Sequence, residues 1–474
     1  MLTWPALWTL GDFLIIAITV PVLLRRQRPP AGAVAWLMAI VFLPYVGALL
    51  FVLFGLNRVK RRQQTWWKLR RSRERRRRRS DQPSHSTPEL SRLQERLTDL
   101  AKRATQFGPT PGNRITLLPE PEDAFAAIVK AIDEAEHSIH VQYYIYRPDR
   151  IGTRIRDALI RKAQDGVQVR FMYDGIGSWG LSRRFLKPMQ DTGIVISPFL
   201  PGRSFRERWS INLRNHRKLV IVDNRLAFPG GLNGGDEYLG RDPACGYWPH
   251  TQTSLEGPVV RQLIDVFMED WYCATDEQVA RSPSSGNEPF PDGTLAQVIA
   301  DGPDHDVRPL RSVLLAAILE ADKSVTISTG YFVPTQTLQE ALITAAQRGV
   351  KVRLLVAGAP TYWYTLWAGR SFYAELLNVG AEIYEYAGGL FHAKVLAVDD
   401  CWSLVGTPNF DFRSLDLNFE VAVAMCDERI ARSLKQQFSA DVKKSKRIDP
   451  DEWSQRSAWR IRGENFCRLF APLL

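Results

Sequence analysis

Two long apolar stretches open the chain, and a regular alternation of helical and extended periodicity follows them. Ala31 to Leu56 runs without one charged side chain, long enough as a helix to cross a hydrocarbon core of roughly 30 Å. Leu2 to Leu24 is a second such stretch, interrupted by Asp12, whose carboxylate costs about 2.5 to 3.5 kcal/mol at a helix centre in a bilayer and less near an end. The pattern predicts two N-terminal transmembrane helices. The first lacks the basic lead-in of a cleaved signal peptide and a second apolar segment follows it, so it is read as retained.

Downstream the periodicity repeats. Ala131-Ile-Asp-Glu-Ala-Glu-His-Ser-Ile-His140 reads as a helix end entering a strand from His140 to Tyr146, and Ala317-Ile-Leu-Glu-Ala-Asp-Lys-Ser-Val-Thr326 as the same junction entering Thr326 to Phe332. An amphipathic helix follows each, closed by Asp165-Gly-Val-Gln-Val-Arg170 in one copy and Arg348-Gly-Val-Lys-Val-Arg353 in the other. There Gly ends the helix and alternating Val opens the next strand. Strands alternating with helices predict an α/β fold with a largely parallel sheet in each copy. The expected organisation is membrane segments over 1–57, a basic juxtamembrane stretch and linker over 58–88, and a first half over 89–280. A proline-bearing linker over 281–293 then leads to a second half over 294–474 with a C-terminal helical segment.

The formal charge of +11 changes meaning once it is located: Arg58 to Arg79 holds thirteen Lys or Arg against the single acid Glu74. That run accounts for the whole excess, and the rest of the chain is close to neutral, which argues against a nucleic-acid-binding surface. The loop between the apolar stretches holds only Arg25, Arg26 and Arg28, so the positive-inside rule puts the main domain on the cytoplasmic face. With Trp66 and Trp67 among them, the thirteen cations suit an anionic headgroup surface as well as a solvated charge block. Cys245, Cys273, Cys401, Cys426 and Cys467 form no Cys-x-x-Cys pair, supporting neither a disulfide framework nor a zinc cluster.

The repeat is strictest where it carries chemistry. His216-Arg-Lys218-Leu-Val-Ile-Val-Asp223 and His392-Ala-Lys394-Val-Leu-Ala-Val-Asp399 both read H-x-K-x-x-x-x-D, and the same offset of 176 residues relates Gly230-Gly231-Leu-Asn233 to Gly406-Thr407-Pro-Asn409. Residues two apart on a strand share a face, so each His and its Lys are expected to project together. Imidazole can attack phosphorus, and ammonium can stabilise the phosphate oxygens as charge redistributes. One imidazole is not enough, because the leaving alkoxide needs a proton and the incoming hydroxyl must lose one. Two copies meeting at a pseudo-twofold supply both roles. Asp223 and Asp399 end their strands, where an Asp either holds a turn or acts directly.

These motifs resemble the duplicated HKD signature of the phospholipase D superfamily. Gly234-Gly-Asp-Glu-Tyr-Leu-Gly240, Gly246-Tyr-Trp248, Glu256-Gly-Pro258, Tyr331-Phe-Val-Pro334, Tyr384-Glu-Tyr386 and Arg413-Ser-Leu-Asp-Leu-Asn-Phe-Glu420 are similar to the bacterial cardiolipin synthases within it. The resemblance implies two phospholipase D-like α/β halves, with mostly parallel or mixed sheets, packed about a pseudo-twofold behind two transmembrane helices in a bacterial inner membrane. It implies phosphatidyl transfer between two phosphatidylglycerol molecules, giving cardiolipin and glycerol without a metal or nucleotide cofactor. One imidazole, taken as His216, would attack the donor and His392 would protonate the departing glycerol, the exchanged order being the alternative. Lys218, Lys394, Asn233 and Asn409, with Gly231 and Thr407, would surround the phosphate.

Relatives usually carry Trp-Arg-Asp-Thr-His after the first motif, whereas this chain has Trp248-Pro-His250-Thr-Gln252. Glu420 is therefore expected to orient His392, leaving His250, a carbonyl or a neighbouring acid for His216. A hydrolase of the same chemistry, another alcohol acceptor and a non-catalytic anionic-lipid scaffold remain alternatives. Tyr362-Trp-Tyr-Thr-Leu-Trp367 and Trp459 to Leu474 read either as interfacial segments or as core packing.

Overall fold

The computed structural model describes residues 4–25, 30–55, 89–199, 213–240, 246–279, 287–303, 305, 307–359 and 362–471. The basic stretch and linker of 58–88, and most of the linker of 281–293, lie outside them. The chain forms two compact units, 1–62 with 200–213, and 63–199 with 214–474.

In the first unit the apolar stretches are helical: α1 (Trp4–Leu24), α2 (Pro30–Phe42) and α3 (Pro44–Leu50), with a π-helical turn at Phe51–Gly55. The second stretch is not the single helix its composition predicts. At Leu43 the backbone (φ −135°, ψ 68°) leaves helical geometry and Pro44 begins a new helix, because Pro offers no N–H and its ring clashes with the preceding turn. The chain then returns on α2, so closely that a Cβ on Gly47 would stand 2.1 Å from the Ala39 carbonyl oxygen. Asp12 interrupts the apolar character of α1, which also carries Pro21 inside it, and α2 ends after 13 residues. Among the described residues no helix is long and apolar enough to cross a membrane.

The second unit is built on strands β1 (Thr110–Leu118), β2 (Ser138–Tyr143), β3 (Gln168–Asp174), β4 (Val195–Phe199), β5 (Leu219–Val222), β6 (Leu226–Pro229), β7 (Gln252–Glu256), β8 (Thr294–Asp301), β9 (Ser324–Thr329), β10 (Phe332–Val333), β11 (Lys351–Ala357), β12 (Glu382–Tyr386), β13 (Lys394–Val398), β14 (Trp402–Gly406), β15 (Phe410–Asp411), β16 (Glu420–Cys426) and β17 (Ser445–Arg447). All but β10 and β15 join one 15-stranded sheet. From its middle outward the order is β1-β7-β6-β5-β2-β3-β4 on one side and β8-β16-β14-β13-β9-β11-β12 on the other, with β17 added at the edge. The two arms correspond strand for strand.

Instead of two separate, largely parallel sheets, the copies share one mixed sheet across the antiparallel β1–β8 seam. Only β2-β3-β4 and β9-β11-β12 run parallel, because a helix crosses over between their strands. These helices close as the sequence predicts. Gly166 and Gly349 lie at φ +89° and +86°, and the next N–H groups, of Val167 and Val350, reach back to the carbonyls of Lys162 and Ala345, the bonding of a Schellman cap. The hairpins β5–β6 and β13–β14 turn on Asp223-Asn224 and Asp399-Asp400, all four at φ between 50° and 56°, the type I′ geometry that matches strand twist.

Each copy has its own core. Ile128, Ile139, Ile155 and Phe171 anchor the first; Leu314, Ile327, Leu342 and Leu354 anchor the second. Helix Arg92–Thr105 falls within the expected first half, yet its Leu93, Leu97 and Ala101 complete the second core.

Candidate active site

The two motif histidines are delivered by short extended segments that enter the central hairpins. His216 and His392 sit just before strands that start at Leu219 and Lys394, so the strand alternation invoked for His and Lys begins later than predicted. Their backbones are fixed across the pseudo-twofold: His216 N–H donates to the Phe419 carbonyl and His392 N–H to the Pro249 carbonyl, both at 2.9 Å. Arg217 anchors the first segment, with its buried guanidinium on Asp270 at 2.7 Å and on the carbonyls of Glu420 and Asp301. Each Lys Nζ donates to the carbonyl of its own His, at 2.8 Å for Lys218 and 3.0 Å for Lys394.

Both imidazoles line one cavity of about 480 Å³ together with Asn233, Asn409, Tyr144, Arg214, Glu237, Asp411 and Arg413. Arg147, Arg214 and Arg413 bring cations to its wall, whereas Lys218 and Lys394 are buried outside the lining. Burial lowers Lys218 to about 7, against the pull of Glu420 and Asp174, and burial with the nearby Lys218 takes Lys394 well below its ordinary range. A bound phosphodiester anion would restore both charges.

The environments of the two histidines differ. Nδ1 of His216 lies 2.9 and 3.0 Å from the two oxygens of Glu420. That carboxylate also accepts from Thr407 Oγ1 at 2.5 Å and Asn418 Nδ2 at 3.2 Å. Burial alone would raise Glu420, but His216, Lys218 and Thr407 hold it below the usual carboxyl range. Burial lowers His216 to about 4 although Glu420 opposes it, so at neutral pH it is a neutral ring beside an anion, its Nδ1–H on Glu420 and its Nε2 bare. Glu420 therefore meets His216 and not His392, the reverse of the expected pairing.

His392 has Tyr238 Oη at 3.3 Å from its Nδ1. Burial, then Lys394, Lys218, His216 and His250, lower its pKa well below the ordinary value. His250 is fully buried nearby, and neither of its ring nitrogens has a hydrogen-bond partner.

Several other expectations change. Asp223 accepts backbone N–H bonds from Glu136, His137 and Ser138, and Asp399 from Asp322, Lys323 and Ser324. Neither lines the cavity; the repeated spacing of H-x-K-x-x-x-x-D ends in a turn that ties each hairpin to the start of the neighbouring strand. Thr407 spends its hydroxyl on Glu420 and the Val421 carbonyl, and Gly231 packs on the His392 backbone and the Lys394 stem, so both support the site from behind the cavity wall. Trp367 is half-buried against the second core, so close to Gly463 that a Cβ there would stand 2.4 Å from its ring, whereas Trp363 and Trp459 are 64% and 78% exposed.

A family model described as "Cardiolipin synthase, PLD-like domain" matches residues 128–271 and 314–442, one segment for each motif histidine. The chain belongs to the cardiolipin synthase family. A second model, "Phospholipase_D-nuclease N-terminal", matches 13–55. Cardiolipin synthase 1 of Bacillus cereus is 38% identical over 99% of this chain and 93% of its own, and a cardiolipin synthase of Halalkalibacterium halodurans is 35% identical over 98% and 95%. The crystal structure of phosphatidylserine synthase from Haemophilus influenzae shares the fold, with a TM-score of 0.62 at 15% identity over 80% of this chain and all of that one.

For a cardiolipin synthase the cavity adds residues that sequence reasoning passed over. Tyr144 stands edge-on to His216 at 4.8 Å and lies 5.2 Å from Lys218 Nζ. Arg214 lies two residues before His216, a basic residue whose signal is lost in a chain with 62 Lys and Arg. Tyr238 belongs to the Gly-Asp-Glu-Tyr segment used for the resemblance, without a sign in the sequence of which ring it meets.

Proposed function

We propose that this chain is a membrane-attached phosphatidyltransferase that makes cardiolipin and glycerol from two phosphatidylglycerol molecules. The observation that carries the reading is the His216–Glu420 pair opposite His392 in one cationic cavity. Nε2 of His216 bonds to the donor phosphorus, the P–O bond to the headgroup glycerol breaks, and His392 gives the departing oxygen a proton. A hydroxyl of the second phosphatidylglycerol then attacks phosphorus, its proton passes to His392, and the P–N bond breaks. The phosphorylated ring keeps Nδ1–H and a positive charge, which Glu420 neutralises. Lys218, Lys394, Asn233 and Asn409 hold the phosphate oxygens, and Arg214 and Arg413 extend the positive field at the mouth.

The detergent-dispersed full chain incubated with phosphatidylglycerol tests this directly. Cardiolipin with glycerol supports transfer; phosphatidic acid with glycerol would make it a hydrolase, and no turnover at all a lipid-binding scaffold.

Attachment is assigned to the apolar first unit, whose Phe13, Leu14, Ile18, Val22 and Leu24 are exposed, with the catalytic unit on the side of the thirteen cations. Tyr362 and Tyr364 line the cavity and, with Trp363, form an exposed aromatic rim suited to a bilayer interface. Replacing Trp363 and Trp459 by Ala is expected to weaken binding of the catalytic unit to anionic vesicles severalfold while leaving a short-chain substrate well used. Equal losses of both would assign these rings to packing.

A further inference from the structure

The internal symmetry can be followed position by position around the two imidazoles. The carbonyls that receive the N–H groups of His216 and His392 belong to Phe419 and Pro249, so the residues that follow, Glu420 and His250, occupy equivalent places. Asn233 N–H donates to the Tyr238 hydroxyl at 3.2 Å and Asn409 N–H to the Ser414 hydroxyl at 3.1 Å, which makes Tyr238 and Ser414 equivalent. Gly231 likewise corresponds to Thr407. Around His216 the three positions hold Glu, Thr and a short Ser. Around His392 they hold His, Gly and a long Tyr. Where the carboxylate and its supporting hydroxyl are missing, the phenol reaches the ring that would otherwise have no partner.

Lone-pair counting gives the direction of that contact. Ile145 N–H donates to Asn233 Oδ1 at 3.4 Å, so the NH₂ end of the amide faces Tyr238, at 2.9 Å. With the Asn233 backbone N–H, the phenol oxygen accepts two hydrogen bonds and has no lone pair left. Its own proton has His392 Nδ1 at 3.3 Å and the Gly231 carbonyl at 3.4 Å in reach. A proton on Nδ1 would find no acceptor there. The groups that act most strongly on His392 are Lys394, Lys218, His216 and His250; Glu237 and Asp411 line the same cavity, but neither carboxylate is at hydrogen-bond distance from the His392 ring.

Resting on the transfer reading above, we propose that Tyr238 is the positioning residue of the second half: it donates to Nδ1 of His392, holds that ring's proton on Nε2, and so makes His392 the proton carrier while His216, with Nε2 bare, is the nucleophile. In the first step the Nε2–H proton of His392 passes to the departing glycerol oxygen as the P–O bond breaks. Burial and the neighbouring Glu237 hold the Tyr238 phenol well above its ordinary range, against the two Asn233 N–H groups, so it does not ionise by itself: its proton shifts to Nδ1 only in concert with the transfer from Nε2 to the glycerol oxygen, which avoids an imidazolate. In the second step the proton of the acceptor hydroxyl passes to Nε2 of His392 as its O–P bond forms, and the Nδ1 proton goes back to the Tyr238 oxygen.

The test compares two substrates in the full-length enzyme. p-Nitrophenolate leaves without needing a proton, whereas glycerol does not. For Tyr238→Phe, glycerol release from phosphatidylglycerol is expected to slow roughly 10- to 100-fold, with the p-nitrophenolate burst from bis(p-nitrophenyl) phosphate changed less than about threefold. Tyr238→Phe with His250→Asp supplies a carboxylate at the place equivalent to Glu420 and is expected to recover at least about tenfold of the lost rate. Unchanged glycerol release in Tyr238→Phe, or equal losses on both substrates with no recovery in the double variant, overturns the role of Tyr238. A wild-type enzyme that yields neither burst nor glycerol overturns the transfer reading itself, before any substitution is made.

Discussion

Around His216 the fold supplies an anion, buttressed by Thr407 and Asn418; around His392 it supplies a phenol, a buried imidazole and two lysines that burial holds below their ordinary range. The scaffolds behind them share the same strand order, the same hairpin turns and the same backbone bond to each His. Duplicated backbone therefore does not mean duplicated chemistry. A carboxylate on Nδ1 raises the basicity of the far nitrogen and stabilises a positively charged phosphorylated ring, as a nucleophile needs. A neutral hydroxyl adds no such charge and leaves the second ring free to give and regain a proton.

The largest expected effect separates the rings outright. His216→Ala should abolish the covalent adduct and lower transfer by roughly 10⁴-fold, whereas His392→Ala should still form adduct from an activated aryl phosphodiester while losing transfer from phosphatidylglycerol by a similar factor. Mass spectrometry of the trapped protein decides it, and an adduct on residue 392 in the native enzyme would reverse the roles. Glu420→Gln makes the first half resemble the second and is expected to slow adduct formation by roughly 100-fold; a loss confined to KM would mean that the carboxylate binds lipid instead of supporting the ring.

pH sharpens the comparison next. With His216 lowered to about 4 and Lys218 to about 7, kcat/KM of the free enzyme should rise as His216 loses its proton near 4. It should fall, about tenfold per pH unit at the limit, as Lys218 loses its charge above 7. Lys218→Arg, though slower overall, should flatten the alkaline limb, since guanidinium stays charged.

Stability reads the second half. His250 drops from 6.5 to about 3 on burial, so the folded state binds fewer protons than the unfolded one. The stability this group gives is whole above 6.5 and is lost as pH falls toward 3, about 2 kcal/mol by pH 5. His250→Asn should reduce the fall in unfolding free energy between pH 7 and 5 by that amount; an unchanged slope would place a compensating anion beside the ring. The smallest effect is Thr407→Val, which removes one hydrogen bond to Glu420 and should cost about 1 kcal/mol in denaturant unfolding with a few-fold drop in kcat.

Much of this architecture was legible before any coordinates. The repeat, the helix-closing glycines at 166 and 349, and the two His-x-Lys sites all depend on residues within a few positions of one another, where local periodicity and capping decide the outcome. The single mixed sheet was not legible, because the pairing of β1 with β8 joins Asn113 to Thr294, and no local pattern specifies such a partner. The break at Leu43 was visible as Pro44 but was outweighed by an uncharged run. Asp223 and Asp399 were read partly as chemistry because they belong to the motif, although Asp-Asn and Asp-Asp at the end of a Val-rich strand are a hairpin signal in their own right.

The amino-acid sequence by itself determined that there are two copies, which imidazole and ammonium groups each contributes, and that they belong to one family of phosphodiester chemistry. Which partner each imidazole receives was decided only by tertiary structure. Glu420 is 204 residues from His216 and Tyr238 is 154 from His392, and the pseudo-twofold carries each partner across to the ring of the opposite half. Hydrogen bonds depend on position in space, and position across so long a separation in the chain is set by packing of the whole sheet.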